Sequence, residues 1–323
     1  MRALVLEGNT ISQRRDYPAP SPRDGEVLVR VTRAGVCETD LQLIKGYMGF
    51  TGILGHEFVG VAESGPFSGR RVVGEINCSC WSCPTCLDGR PSHCPNRTVL
   101  GILKHDGAFA DFIAVPQQNL HIVPDSVSDD GAVFTEPLAA AFQIPAQIPI
   151  DHDDRIVVLG DGRLGNLCAQ VLARISSHVT VVGKHPEKLA LLNGRSKGGH
   201  YDQVATKLLA EVEPTHDNDI VVDCTGSPTG LPTALTLVRP RGTIVLKTTV
   251  AGDQTMAWAP VVIDEVTIVG SRCGPFDRAL KALEADEVSV LPLISARYDL
   301  SNGVAAIKHA QSTPSMKVLI DVE

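Results

Sequence analysis

The chain has 323 residues, 43% of them hydrophobic, with a formal net charge of −8 and a sequence pI near 5.7. That length has room for two domains whose cores need no covalent staples, and the acidic balance argues against a broad nucleic-acid or anionic-membrane surface. No uninterrupted apolar run is long enough to span a bilayer, and the opening MRALVLEGNT reads as a strand rather than a secretory leader, so the expected location is cytoplasmic, where clustered thiols serve more often as ligands than as disulfides.

The first chemistry-bearing segment is GVCETDLQLIKGYMGFTGILGHEFVGV. Cys37 is followed closely by Thr39 and Asp40. His56 and Glu57 come after a glycine, and Val59, Val61 and Ala62 have the pattern of a strand running on. Far downstream, VFTEPLAAA carries Glu136. Cys, His and a carboxylate form the kind of protein set that holds catalytic zinc while leaving a position open. Singly, each residue is more often core or surface, and a Glu before Pro is a common helix start. The set gains weight from the motifs that accompany it.

The next segment, CSCWSCPTCLDGRPSHC, holds five of the nine cysteines. Cys80, Cys83, Cys86 and Cys94 form C-x2-C-x2-C-x7-C, with turns supplied by Pro84 and by Asp88-Gly89. Four thiolates on one tight loop suit tetrahedral zinc and fill its shell, which is the mark of a structural site. An intraloop disulfide and a redox C-x-x-C are the alternatives. Trp81 and Leu87 are expected to cover the loop from outside, and Cys78 falls outside the spacing. A zinc ribbon that reads nucleic acid has its two C-x2-C pairs set well apart, unlike this loop.

DDRIVVLGDGRLGNLCAQVLARISSHVTVVGKHPEKL reads as strand, turn, helix, strand. Gly160, Gly162 and Gly165 make G-x-G-x-x-G after the apolar run Ile156 to Leu159, and Leu164, Leu167, Cys168, Val171 and Leu172 recur at helical spacing. In that context the first glycine allows the tight turn, the second lets a pyrophosphate approach and the third lets helix pack on strand. Arg163 and Leu164 open the helix whose N-terminus faces the phosphates. The second strand ends at Val182. Gly183 stands where NAD-selective domains carry an acid, and Lys184 and His185 follow with a cation and a donor. NADP(H) is therefore expected over NAD(H), with relaxed cofactor choice as the alternative. Further on, DIVVDCTG ends in Thr225-Gly226, Leu231 to Val238 has helical character, and GTIVLK and VTIVG are two more strands. This alternation predicts a doubly wound parallel sheet. Thr225, Gly226 and the late Lys317 complete the expected cofactor-binding set. The stretch QIPAQIPIDHDD is the expected domain boundary on the N-terminal side.

Taken together, these motifs resemble the zinc-dependent alcohol dehydrogenases of the medium-chain dehydrogenase/reductase superfamily. The likeness runs through nearly the whole chain in order: GVCETD, GHEFVG, the four-cysteine lobe, GAFADFIAVPQQNLHIVPD, TEPLAAA, the glycine turn and VRPRGTIVL. It implies an α/β protein in which a GroES-like β-barrel catalytic domain, residues 1–141 and 272–323, encloses a Rossmann domain, residues 142–271. It also implies catalytic zinc on Cys37, His56 and Glu136. Glu57 matches a carboxylate that enters the shell as water or substrate leaves, Asp40 a partner that fixes the ring of His56, and Thr39 a hydroxyl that receives the substrate proton. An acidic third ligand resembles the polyol and threonine dehydrogenase branches. The chain departs from the pattern at Gln42, where some members have a relay histidine, and at Glu38, where some have a basic residue. The segments Lys45 to Gly55 and Leu191 to Asn218 are short.

The expected reaction is hydride transfer between a nicotinamide cofactor and an alcohol or polyol, or its aldehyde or ketone. Zinc-assisted carbonyl or enol chemistry and a cofactor-binding non-enzyme on the same fold are the alternatives. A substrate pocket between the domains would have Tyr47, Met48, Phe50, Phe109 and Trp258 as candidate walls, each equally readable as core packing. The expected partners are a small-molecule substrate and further copies of the chain, as dimer or tetramer, with no nucleic acid or membrane partner.

Overall fold

The computed structural model describes residues 1–193, 204–248, 255–312 and 314–322. The chain divides into two compact units, Met1–Glu136 with Ile294–Glu323, and Pro137–Leu293.

The first unit is organised by the strand Glu26–Gly35, in which Val27, Val29 and Val31 are buried between the more exposed Glu26, Leu28, Arg30 and Thr32. That alternation makes a half-buried antiparallel strand. One of its edges pairs with Glu57–Ala62, from Val29↔Ala62 to Gly35↔Glu57. The other takes Phe112–Pro116 along its first half and Lys317–Asp321 along its second, with Leu319 opposite Gly35. The C-terminal strand is thus built into the heart of the sheet. Phe50 and Phe109 belong to this unit's hydrophobic core, so core packing is the correct reading of those two wall candidates. Tyr47 packs partly buried against the core, whereas Met48 and, in the second unit, Trp258 are exposed.

In the second unit the strands Arg155–Leu159, His178–Gly183, Val204–Leu208, Asn218–Asp223, Val238–Leu246 and Thr267–Gly270 form one parallel sheet. Numbered along the chain, they lie in the order 3-2-1-4-5-6, the doubly wound arrangement of dinucleotide-binding folds. The apolar runs are continuous because a parallel sheet is covered on both faces. The helix expected over Leu231 to Val238 spans Gly230–Leu237, and Val238 already opens the next strand. The strand Val204–Leu208 was not anticipated. It lies at the edge of the sheet, and its buried and exposed residues alternate weakly. Part of the short stretch Leu191 to Asn218 lies outside the described residues.

The second unit reaches further in both directions than residues 142–271. The helix Thr135–Gln147 runs into the first part of the expected boundary stretch. Lys247 Nζ donates to Ala140 O at 2.6 Å, Arg278 stacks 4.5 Å over the ring of Phe142, and Gln147 Nε2 donates to Gly270 O. At the other end, the helix Phe276–Glu284 buries Phe276, Ala279, Leu280 and Ala282, and Gln170 holds Ser289 through both backbone groups. These contacts commit the segment after residue 271 to the sheet, and the return to the first unit comes at Ile294.

A Cβ on Gly274 would fall inside the Ala139 carbonyl, a backbone atom that cannot swing aside. Gly274→Ala should therefore cost about 1–3 kcal/mol and lower the thermal midpoint by several degrees. Gly270→Ala, where nothing lies within 4 Å, should change stability by less than about 0.5 kcal/mol. Parallel thermal melts of the two variants check the contrast.

Candidate metal centre and dinucleotide site

The register Gly35↔Glu57 sets Cys37, just past the end of one strand, beside His56 and Glu57 at the start of its neighbour. Ligand atoms of Cys37, His56 and Glu57 all lie within 4.8 Å of one another, and His56 and Glu57 are buried. Cys37 is the N-cap of the helix Glu38–Ile44, which places Thr39 and Asp40 in its first turn. Asp40 is fully buried. Its Oδ2 accepts the N–H of Cys37 at 2.8 Å, and its Oδ1 accepts the N–H of Gly55 at 3.3 Å. Asp40 Oδ1 also stands 3.4 Å from His56 Nδ1, within ion-pair reach but not aligned as a hydrogen bond. Burial works to lower the pKa of His56, but Asp40 and Cys37 together raise it well above the usual imidazole value. The Thr39 hydroxyl lies 3.7 Å from Cys37 Sγ. Glu136, expected as the third ligand, opens the helix Thr135–Gln147 and is not part of this three-residue group. Gln42 Nε2 donates to Glu38 Oε1 at 2.8 Å, so the two departures from the family pattern hold each other on the helix surface.

Lys317 was expected among the cofactor contacts, and the structure assigns it differently. It is fully buried and forms an ion pair with Glu57, while its ammonium lies 5.4 Å from the ring centre of Phe134. Burial works to lower its pKa, with Cys37 and Asp40 pulling the other way. Gly35 makes this possible, because a Cβ there would come within 2.6 Å of Lys317 Cε. Pairing with Glu57 was not legible from spacing, since 260 positions separate the partners and strand pairing alone brings them together.

In the cysteine lobe, Sγ atoms of Cys83 and Cys86 are 3.5 Å apart, those of Cys83 and Cys94 3.8 Å, and those of Cys94 and Cys80 3.5 Å. Zinc–sulfur bonds of about 2.3 Å would put the corners of a tetrahedron about 3.8 Å apart. All nine cysteines are free of disulfides. Hydrogen bonds from the backbone and side chain of Ser82 and the backbone of Cys83 hold the Cys80 thiol down, to about 5, while burial and the neighbouring thiols push Cys86 up to about 12. Four crowded thiols resist becoming four thiolates unless a cation joins them, so the donor chemistry fits a bound metal. Trp81 and Leu87, expected as covers, are both exposed, and Cys78 is buried outside the group.

In the glycine turn, Gly160 has φ +113°, and a Cβ there would meet the backbone of Cys224. A Cβ on Gly165 would meet the Gly160 carbonyl, whereas nothing lies within 4 Å of the corresponding point on Gly162. The middle glycine therefore leaves open space at the N-terminus of the helix Arg163–Leu172, where Arg163 and Leu164 are half-buried. Thr225 donates twice to Asp223 Oδ1, through N–H at 2.9 Å and hydroxyl at 2.8 Å, and Gly226 N–H donates to Thr248 Oγ1, shaping the loop after the fourth strand of the sheet. At the end of the second strand, Gly183, Lys184 and His185 do not stand open. The Asp161 side chain reaches over from the glycine turn and accepts the N–H groups of both Lys184 and His185. Sequence reasoning missed Asp161. The available signal was an acid inside G-x-G facing a strand that ends in glycine.

Residues 23–125 match the family model of the alcohol dehydrogenase GroES-like domain, and residues 164–287 that of the zinc-binding dehydrogenases. The chain is 28% identical over 340 residues to the sorbitol dehydrogenase of Halalkalibacterium halodurans, covering 99% of each chain. Its structure is similar to a short chain alcohol dehydrogenase from Escherichia coli CFT073 complexed with NADH, at 25% identity and TM-score 0.88 over 100% of this chain and 99% of that one. In fold it also matches a zinc-binding dehydrogenase from Sinorhizobium meliloti 1021 bound to NADP, at 24% identity and TM-score 0.87 over 99% of each chain. A GroES-like unit carrying clustered metal donors, with a doubly wound sheet in the second unit, defines an oxidoreductase of the zinc-binding dehydrogenase class. The chain belongs to the zinc-dependent alcohol dehydrogenases of the medium-chain dehydrogenase/reductase superfamily. Among the described residues no helix is long and apolar enough to cross a membrane.

Lys317 supplies the positive charge that a buried Glu57 needs. In the metal-free protein Lys317→Met should cost about 3–5 kcal/mol, the usual result of leaving one buried ion uncompensated. Adding Glu57→Gln to that variant should recover most of the loss. Urea denaturation of the single and double variants side by side is the measurement, and a single-variant cost below about 1 kcal/mol would remove Lys317 from this role.

Proposed function

We propose that the protein is a zinc-dependent alcohol or polyol dehydrogenase that works with a nicotinamide cofactor. The observation that carries this reading is the buried convergence of Cys37, His56 and Glu57 beside the Thr39 hydroxyl. Neither oxygen of Glu57 accepts a regular hydrogen bond among the described residues, and a soft thiolate, an imidazole and a carboxylate are together a donor set for zinc. Cys37, His56 and Glu57 would hold the ion. Sorbitol dehydrogenase activity in a relative that matches along its full length supports polyols as the substrate class.

When bound, zinc supplies Lewis acidity that eases loss of the alcohol proton, and the nicotinamide ring supplies the hydride acceptor. Asp40 restrains both neighbours, accepting the N–H of Cys37 and standing at Nδ1 of His56, which leaves Nε2 as the ligating nitrogen. Thr39 can receive a proton at Oγ1 and pass on its own, because a hydroxyl both accepts and donates. Gln42 cannot titrate, so the onward route does not use a side-chain base at that position. Lys317 balances the charge of Glu57 from beneath. The open space at Gly162 receives the pyrophosphate against the helix N-terminus. The exposed Trp258, Val262 and Ile263, around the short helix Ala259–Ile263 that precedes the edge strand Thr267–Gly270, support assembly into a dimer or tetramer.

Metal analysis of the purified protein should approach two zinc ions per chain. His56→Ala should lose one of them and all turnover, followed as absorbance at 340 nm across alcohols, polyols and carbonyl compounds, while the folded chain keeps the zinc of the lobe. Cys83→Ser should lose the other and melt earlier, because the lobe's fold and its metal are linked. A single zinc, held in the lobe, with full activity would rule out a catalytic metal at Cys37, His56 and Glu57.

A further inference from the structure

The second strand of the doubly wound sheet ends in glycine, yet its tip carries a negative charge. Asp161, between Gly160 and Gly162, turns its side chain across to that tip. Its Oδ2 accepts the N–H of Lys184 at 2.6 Å and of His185 at 2.7 Å, and its two oxygens lie 3.2 and 3.1 Å from His185 Nδ1. A Cβ on Gly183 would lie 2.5 Å from both Cβ and Oδ2 of Asp161. The carboxylate therefore fills the volume that an acidic side chain on residue 183 would occupy. Gly160 N–H donates to Val182 O at 2.8 Å, which fastens the turn to the strand end and fixes the direction from which Asp161 arrives.

We infer that Asp161 is the residue that sets cofactor choice, and that it selects NAD(H) over NADP(H). The inference rests on the dinucleotide-binding reading of this unit. What an NAD-selective site requires is a carboxylate at the second strand's end to accept the ribose 2′-hydroxyl, and its place in the chain is immaterial. Asp161 is anchored by two backbone N–H groups and has lone pairs to spare, since a carboxylate offers about four acceptor sites. A 2′-phosphate would meet a fixed like charge and find the Lys184 and His185 N–H groups already taken. The Lys184 ammonium is the counterweight, because it stands exposed where a phosphate could draw it. A solvated lysine on a flexible stem gains little from such a pairing, whereas the carboxylate is held in place before cofactor arrives. This reverses the preference expected from Gly183, Lys184 and His185 alone.

Fluorescence titration of the zinc-loaded protein with NADH and with NADPH tests the inference without turnover. Wild type should bind NADH at least about tenfold more tightly, the worth of one charged hydrogen bond. Asp161→Asn keeps the shape and removes the charge, and should weaken NADH, strengthen NADPH and shift their ratio about tenfold or more. The paired change Asp161→Gly with Gly183→Asp returns the carboxylate to the strand end and should restore the NADH preference, which keeps the test decisive even if the single variant misfolds. Equal or tighter NADPH binding by wild type, or an Asp161→Asn variant that loses both cofactors in proportion, would overturn the role of Asp161 and leave the dinucleotide site standing. Failure of wild type to bind either cofactor would overturn the dinucleotide site itself.

Discussion

Three strands held in register around Gly35 are the constraint on which the metal centre depends. Glu57 stands opposite Gly35 on one side, and Leu319 on the other, two residues past Lys317. A slip of one residue in either pairing would turn its side chains to the opposite face of the sheet. His56 and Glu57 would then shift away from Cys37, or Lys317 would leave Glu57. Charges buried as deeply as these persist only when compensated, so the apolar residues that fix strand register also decide where the ions sit. Gly35 contributes by its lack of a side chain, since the Lys317 stem passes through the space that a Cβ would fill.

The two groups of metal donors solve opposite electrostatic problems. The lobe gathers four thiols, and within the group hydrogen bonds from Ser82 and Cys83 hold Cys80 down to about 5 while burial and the neighbouring thiols push Cys86 up to about 12. In the other group a buried lysine pairs with its one carboxylate, Glu57. With Lys317 in place, the charge of Glu57 is balanced from within the protein, which sets the group Cys37, His56 and Glu57 apart from the four thiols of the lobe. A closed cage of thiolates suits holding a loop, and an open, charge-poor set suits activating a ligand.

The motifs legible in the sequence were those whose parts lie close along the chain. Cys80, Cys83, Cys86 and Cys94 lie within fifteen residues, and Gly160, Gly162 and Gly165 within six, so spacing alone carries their geometry. The long-range set came only from the resemblance, which named Cys37, His56 and Glu136 with Glu57 able to join them, and the fold gathers Cys37, His56 and Glu57. The partners of Lys317 and Asp161 were not legible because they are determined by strand pairing and by the path of a turn, which no local pattern encodes. The same holds for the weakly alternating strand Val204–Leu208, and for the segment from 272 to 293, whose attachment depends on Gln170 reaching Ser289.

The C-terminal strand also has a bearing on biosynthesis. Ribosomes release a chain from its N-terminus onward, and domains generally fold as units while they emerge. The cysteine lobe is complete once Cys94 has appeared and closes a short loop at small entropic cost. The strand Lys317–Asp321 is translated long after Glu26–Gly35, yet it lies between Glu26–Gly35 and Ile294–Asp299 in the finished sheet. Until that strand emerges the first unit holds a gap beside Gly35, and Glu57 waits without its lysine. A nascent chain can therefore have its four-cysteine lobe formed while Glu57 still lacks its partner, and the emergence of this one strand is the step that closes the sheet around Gly35.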